Sequence, residues 1–162
     1  ADFIKFNSRP LSVGEKALAR SVFGASIDLE RVRLDERAWL GPRQAHFCYV
    51  SFFHINSWGF MSDELLIHEL MHVWQYQHLG INYIPRALRA QWSKAGYDYG
   101  GRQGLQAALK EAKGLLDFNY EQQADIVADY FRIREGKTPR WGEGGTGDLP
   151  LYRAFVHELE KG

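Results

Sequence analysis

Residues 64–78 read ELLIHELMHVWQYQH. The stretch decides the fold because it is apolar around most of its circumference, as a helix crossing a core must be. Ser62 is placed to cap it, Asp63 and Glu64 put negative charge into its first turn, and Gly80 stops it near His78. His68 and His72 are four residues apart, so on a helix both imidazoles share one face, one turn apart. Zinc takes imidazole nitrogens at about 2.0–2.1 Å, a spacing that two rings on neighbouring turns can meet. Glu69 points partly toward the same face and can reach a metal-bound water without ligating the metal. The H-E-x-x-H pattern therefore reads as a metal site with its own general base. The competing reading is a helix with two packed histidines. The strict combination, in a well-capped helix, favours the metal. His78 lies about 240° around the helix from His72 and is excluded as a ligand.

A catalytic site needs a third protein ligand and leaves one position open. The segment FNYEQQADIVADYF at 118–131 supplies candidates. Its pattern predicts a helix over 119–134, ended by Gly136, with Ile126, Val127, Tyr130 and Phe131 toward the core. Glu121 and Asp125 are four apart and share a face. Glu121 is expected as the third ligand. Asp125 is expected to accept from the free ring nitrogen of a ligating histidine, His68 first. Asp117 and Asp129 are rival carboxylates, and an amphipathic helix with its acids in water is the alternative.

Working outward, Ser12 and Glu15 form a capping-box pattern ahead of a short helix, GEKALARSVFG, that Gly24 stops. RVRLDE at 31–36 alternates like a short strand. AHFCYVSFF at 45–53 is rich in aromatics and β-formers and reads as the best strand, followed by a turn at Asn56, Ser57 and Gly59. A short helix is expected near 86–94, a tyrosine-bearing loop after it, a helix over 102–115, and a closing helix from LYRAFVHELE. WGEGGTGDLP at 141–150 reads as a turned loop. It lacks the lysine and preceding strand of a phosphate loop.

The chain has 162 residues, enough for one domain spanning 1–162 with a real core. Twenty basic and 20 acidic residues balance, so no long-range field draws nucleic acid or anionic lipid. Arg86, Arg89 and Lys94 form a small basic cluster read as solvated surface. The single cysteine, Cys48, excludes an internal disulfide and reads as a buried thiol. No 18-residue apolar span predicts a membrane helix, and the N-terminal residues carry no secretory pattern.

HELMH followed on a later helix by E-x-x-x-D is similar to the gluzincin class of zinc metallopeptidases. The match falls on His68, Glu69, His72, Glu121 and Asp125. LERVRLDERA, the strand after it and HELMHVWQ resemble the metallopeptidase-like domain of extracellular contractile injection systems. EQQADIVADYF resembles a subgroup associated with type VI secretion spike and Rhs-type proteins. The resemblance implies an α+β, zincin-like fold, mostly helical, with a small β-sheet beside the HExxH helix. It implies Zn2+ as cofactor, Glu69 as general base and a peptide or protein substrate. It also implies a secretion-apparatus or immunity-protein partner, and synthesis in a bacterial cytoplasm before export. Such enzymes carry a donor for the oxyanion; Tyr97 and Tyr99 are preferred over Tyr83 and His157. The chain lacks the downstream glycine–histidine pair of metzincins. The 49 residues from His72 to Glu121 leave room for an inserted loop over the site. A cell-wall peptide amidase with the same ligands, and a non-catalytic zinc-binding adaptor of a secretion particle, remain open.

Overall fold

The computed structural model describes residues 7–37, 48–51, 53–80 and 96–161. Its described elements run β1 (Arg9–Pro10), α1 (Val13–Phe23), β2 (Arg33–Asp35), β3 (Tyr49–Ser51), β4 (His54–Asn56), α2 (Asp63–Leu79), α3 (Gly101–Lys110), α4 (Tyr120–Arg134) and α5 (Leu149–Val156). Short 3₁₀ turns lie at Leu115–Asp117, Thr146–Asp148 and His157–Lys161. The fold is α+β and zincin-like, mostly helical with one small sheet.

The helix ends obey local chemistry. Ser12 and Glu15 close a reciprocal capping box on α1. The Ser62 side chain accepts from Leu65 N on α2, and Gly80 ends that helix with a φ of 70°. This is backbone that L side chains adopt only with strain. Asn119 and Gln122 box the start of α4, a cap that the sequence reading did not single out.

The sheet order is β1-β2-β4-β3, with β2 and β4 parallel and the outer pairs antiparallel. Leu34 and Ile55 are register partners, and both are buried. The expected strand over 45–53 is three residues long within the described part; residues 45–47 and 52 lie outside it. Asn56, expected to begin a turn, instead ends a strand, His54–Asn56. One apolar residue between two polar ones is too short an alternation to signal a strand, and Asn is a poor β-former.

Helix α2 is the axis of the core. Leu66, Ile67, Leu70, Met71, Val73 and Trp74 are all buried. It packs chiefly against α4, which contributes Ile126, Val127, Tyr130 and Phe131 as expected, and its flanks meet α1 and β3. Each such side chain contributes roughly 1.5–3 kcal/mol on burial. This packing lays the chemical face of α2 against that of α4. The helix expected near 86–94, Tyr83, Trp92 and the cluster Arg86, Arg89 and Lys94 lie outside the described residues. Helix α3 ends five residues earlier than the expected 115, where Ala112 turns the chain at a φ of 56°. Among the described residues, no helix is long and apolar enough to cross a membrane.

Candidate metal centre

Side chains from α2 and α4 converge at one point. His68 Nε2 and His72 Nε2 are 3.2 Å apart. Glu121 Oε2 lies 3.4 Å from the first and 3.2 Å from the second. All three residues are buried. A tetrahedral metal with bonds of about 2.0–2.1 Å needs ligand atoms roughly 3.3 Å apart, so these atoms form one face of such a tetrahedron. The cluster is capable of holding a metal ion.

The surroundings say which atoms face inward. His68 Nδ1 is 2.8 Å from Asp125 Oδ1. His72 Nδ1 is 2.8 Å from Gln75 Oε1. The Gln75 amide is oriented by its other end, which donates to Tyr120 O and to Gln123 Oε1, each at 2.9 Å. Gln123 in turn donates to Phe118 O at 2.7 Å. Both imidazoles therefore face acceptors at Nδ1 and carry their protons there. In the neutral rings the Nε2 lone pairs then point at each other and at a carboxylate. Three such electron-pair donors brought together suit a cation between them.

With protons in that role, the titrations shift as expected. Burial alone would lower His68, but hydrogen bonds to Asp125 and Glu121 outweigh it and push the ring up to about 10. His72 is raised through Glu121 against the same burial penalty. Glu121, despite burial, is held well below the usual carboxylate range by the two imidazoles. Glu69 goes the other way: burial, the largest influence, raises its carboxyl. Its Oε2 is buried and has no hydrogen-bond partner among the described residues.

Of the two preferred tyrosines, the structure brings Tyr97 to the cluster. Its ring stacks on His68 with centroids 6.2 Å apart, and burial followed by the nearby carboxylates pushes its phenol up to about 12. Tyr99 points elsewhere. Its hydroxyl donates to Asp129 Oδ2 at 2.6 Å and meets the Tyr152 hydroxyl at 2.8 Å, deep in the core. The reason is backbone contact. A Cβ on Gly104 would lie 2.0 Å from Tyr99 O, so only glycine lets α3 seat against residue 99 and turn that ring inward. His157 is exposed, with Nδ1 bonded to Ala154 O at 2.9 Å. His78 stacks on Trp74 and bonds Trp74 O, away from the two ligand-facing rings of α2.

The rival carboxylates are otherwise employed. Asp117 accepts from Gly114 N at 2.8 Å and is exposed. Asp129, fully buried, accepts from Tyr99, Arg132 Nη1 and the backbone N–H groups of Arg140 and Trp141. Two residues around the cluster were not singled out from the sequence. Gln75 is a polar residue on the buried side of an apolar helix, a signal that was present. Trp141 donates its indole N–H to Asp125 Oδ2, and nothing local foretells a contact across 16 positions.

The chain matches no protein-family model. Over 137 residues, 76% of its length, it is 36% identical to the type VI secretion system spike protein VgrG2b of Pseudomonas aeruginosa. It spans 13% of that protein's length. It also matches the solved effector domain of P. aeruginosa VgrG2b, with a TM-score of 0.55 and 30% identity over 93% of this chain and 83% of that one.

Proposed function

The chain belongs to the gluzincin-type metallopeptidase-like family that includes the VgrG2b effector domain, and on that premise we propose that it is a zinc-dependent peptidase acting as a type VI secretion effector. The observation that carries the reading is the triangle of His68, His72 and Glu121 atoms, 3.2–3.4 Å on each edge, together with a buried Glu69 oxygen, Oε2, that has no hydrogen-bond partner among the described residues. A purely structural site would close its fourth position and would have no use for a buried carboxylate on the same helix face.

His68, His72 and Glu121 would hold the zinc, which when bound supplies Lewis acidity and a more acidic water. Glu69 takes a proton from the attacking water as the oxygen–carbon bond to the peptide carbonyl forms. Burial, the largest influence, raises its carboxyl above the usual carboxylate range. The same carboxyl then gives the proton to the amine nitrogen as the carbon–nitrogen bond breaks. Tyr97, whose phenol keeps its proton at neutral pH, is the donor for the developing oxyanion. Asp125 and Gln75 hold the two imidazoles so that Nε2 faces the centre.

The test runs wild type and Glu69→Gln in parallel for zinc content and for cleavage of a peptide library. The expected result is one zinc in both proteins and cleavage by wild type alone. Zinc in both with cleavage in neither favours the adaptor or a narrow non-peptide substrate. No retained divalent metal in either protein overturns the reading.

A further inference from the structure

Arg140 stands at the edge of the site, and among the described residues its guanidinium hydrogen-bonds to nothing. Its guanidinium carbon lies 5.6 Å from the Tyr97 ring centre and 5.1 Å from the Trp141 ring centre. Tyr97 is the ring stacked on His68. Among the described residues the carboxylate that the Arg140 guanidinium faces is Asp125, whose Oδ2 is 3.6 Å from Nη1, within ion-pair reach but outside hydrogen-bond range. That carboxylate is already committed, Oδ1 to His68 and Oδ2 to the Trp141 indole. Among the described residues the guanidinium has no hydrogen-bond acceptor, and half of its side chain is in solvent. Arg132, on the same flank, is the contrast: it is spent on Asp129 at 2.8 Å.

Position 140 is nonetheless fixed. Its backbone N–H donates to the buried Asp129 at 2.6 Å. The aromatic neighbours hold the cation through their faces, which leaves the forked edge of the guanidinium, the part that matches a carboxylate in two hydrogen bonds, for a ligand.

We propose that Arg140 is a specificity-determining residue that binds a carboxylate of the substrate close to the scissile bond. The proposal rests on the metallopeptidase reading. The carboxylate comes from an acidic side chain or from a free chain terminus, and one residue serves both chemistries.

The experiment reads binding, not turnover. Zinc-loaded Glu69→Gln chain is titrated calorimetrically with succinic, glutaric and adipic monohydroxamates and with their methyl esters. The hydroxamate anchors on the metal and the tail samples Arg140. At least one carboxylate probe is expected to bind about 10- to 100-fold tighter than its ester, the range of a hydrogen bond to a charged group. Arg140→Met abolishes that advantage and Arg140→Lys recovers part of it. Both leave the backbone anchor to Asp129 intact, so the fold survives. Two further arms separate the sources: peptide hydroxamates with an acidic side chain and an amidated end, and ones with a free end and no acidic side chain. Equal binding of acids and esters, or an advantage that survives Arg140→Met, overturns the proposal while leaving the metal site standing. A chain that retains no zinc and binds no hydroxamate overturns the metallopeptidase reading, and this proposal with it.

Discussion

Asp125→Asn is the sharpest perturbation that the geometry offers. In the wild type, one oxygen accepts from His68 Nδ1 at 2.8 Å and the other from the Trp141 indole N–H, in a residue that is 1% exposed. A carboxylate satisfies two donors; an amide has one oxygen. If Asn keeps its oxygen toward His68, its NH₂ faces the indole N–H. If it flips, its NH₂ faces Nδ1 and forces the His68 proton onto Nε2, the atom that must be free for metal. Leaving one buried donor against another costs about 1–3 kcal/mol. Losing such a partner typically weakens metal binding about 10- to 100-fold, or roughly 1.4–2.7 kcal/mol. Zinc affinity is measured by competition with a chromogenic chelator, and stability by urea unfolding of the metal-free chain. The decisive comparison adds Trp141→Phe. Removing the indole donor frees the amide to serve His68 alone, so the double variant is expected to recover part of the affinity that Asp125→Asn lost. A double variant no better than the single, or an Asp125→Asn chain that binds zinc like wild type, would refute the reasoning.

Three other outcomes are expected. Gly104→Ala, stabilising in an ordinary helix, lowers the melting temperature by a few degrees here because its Cβ would meet Tyr99 O at 2.0 Å; calorimetry at or above the wild-type value would contradict this. Hydrogen bonding to Arg9 holds the Glu15 carboxyl down at about 2, so the pair adds stability that is present above the ordinary carboxylate range and lost as pH falls through that value. Glu15→Gln keeps the capping box, so its deficit in urea unfolding is expected to be below about 1 kcal/mol near pH 6, because solvent screens the pair, and to vanish near pH 2. Adding zinc to a chelator-stripped chain at one hundred times its dissociation constant raises stability by about 2.7 kcal/mol, or roughly 5–10 °C, and Glu121→Gln loses most of that shift; an unchanged wild-type scan, or an equal shift in Glu121→Gln, counts against the cluster as a metal site.

What the chain disclosed in advance was what helix periodicity can carry. His68 with His72, and Glu121 with Asp125, are each one turn apart, so their shared faces follow from spacing alone. Capping residues placed the start of α1 and α2 in the same way. The choice between Tyr97 and Tyr99 was beyond such reasoning. A loop has no period, and what turns Tyr99 inward is contact with Asp129, Tyr152 and the bare backbone of Gly104. Strand β4 was hidden because three residues hold too little alternation. Trp141 and Arg140 reach Asp125 only through tertiary folding, and position 140 announces itself through no motif.

Asp129 grips the Arg140–Trp141 segment by its main-chain N–H groups and leaves both side chains out of that contact. The mounting and the tool are thus separate parts. Any residue with a backbone N–H can occupy position 140 without disturbing the clamp, whereas Asp129 cannot be exchanged without losing both the clamp and the seat of Tyr99. A swap confined to residue 140 therefore changes the side chain presented there while the main-chain attachment to Asp129 stays in place.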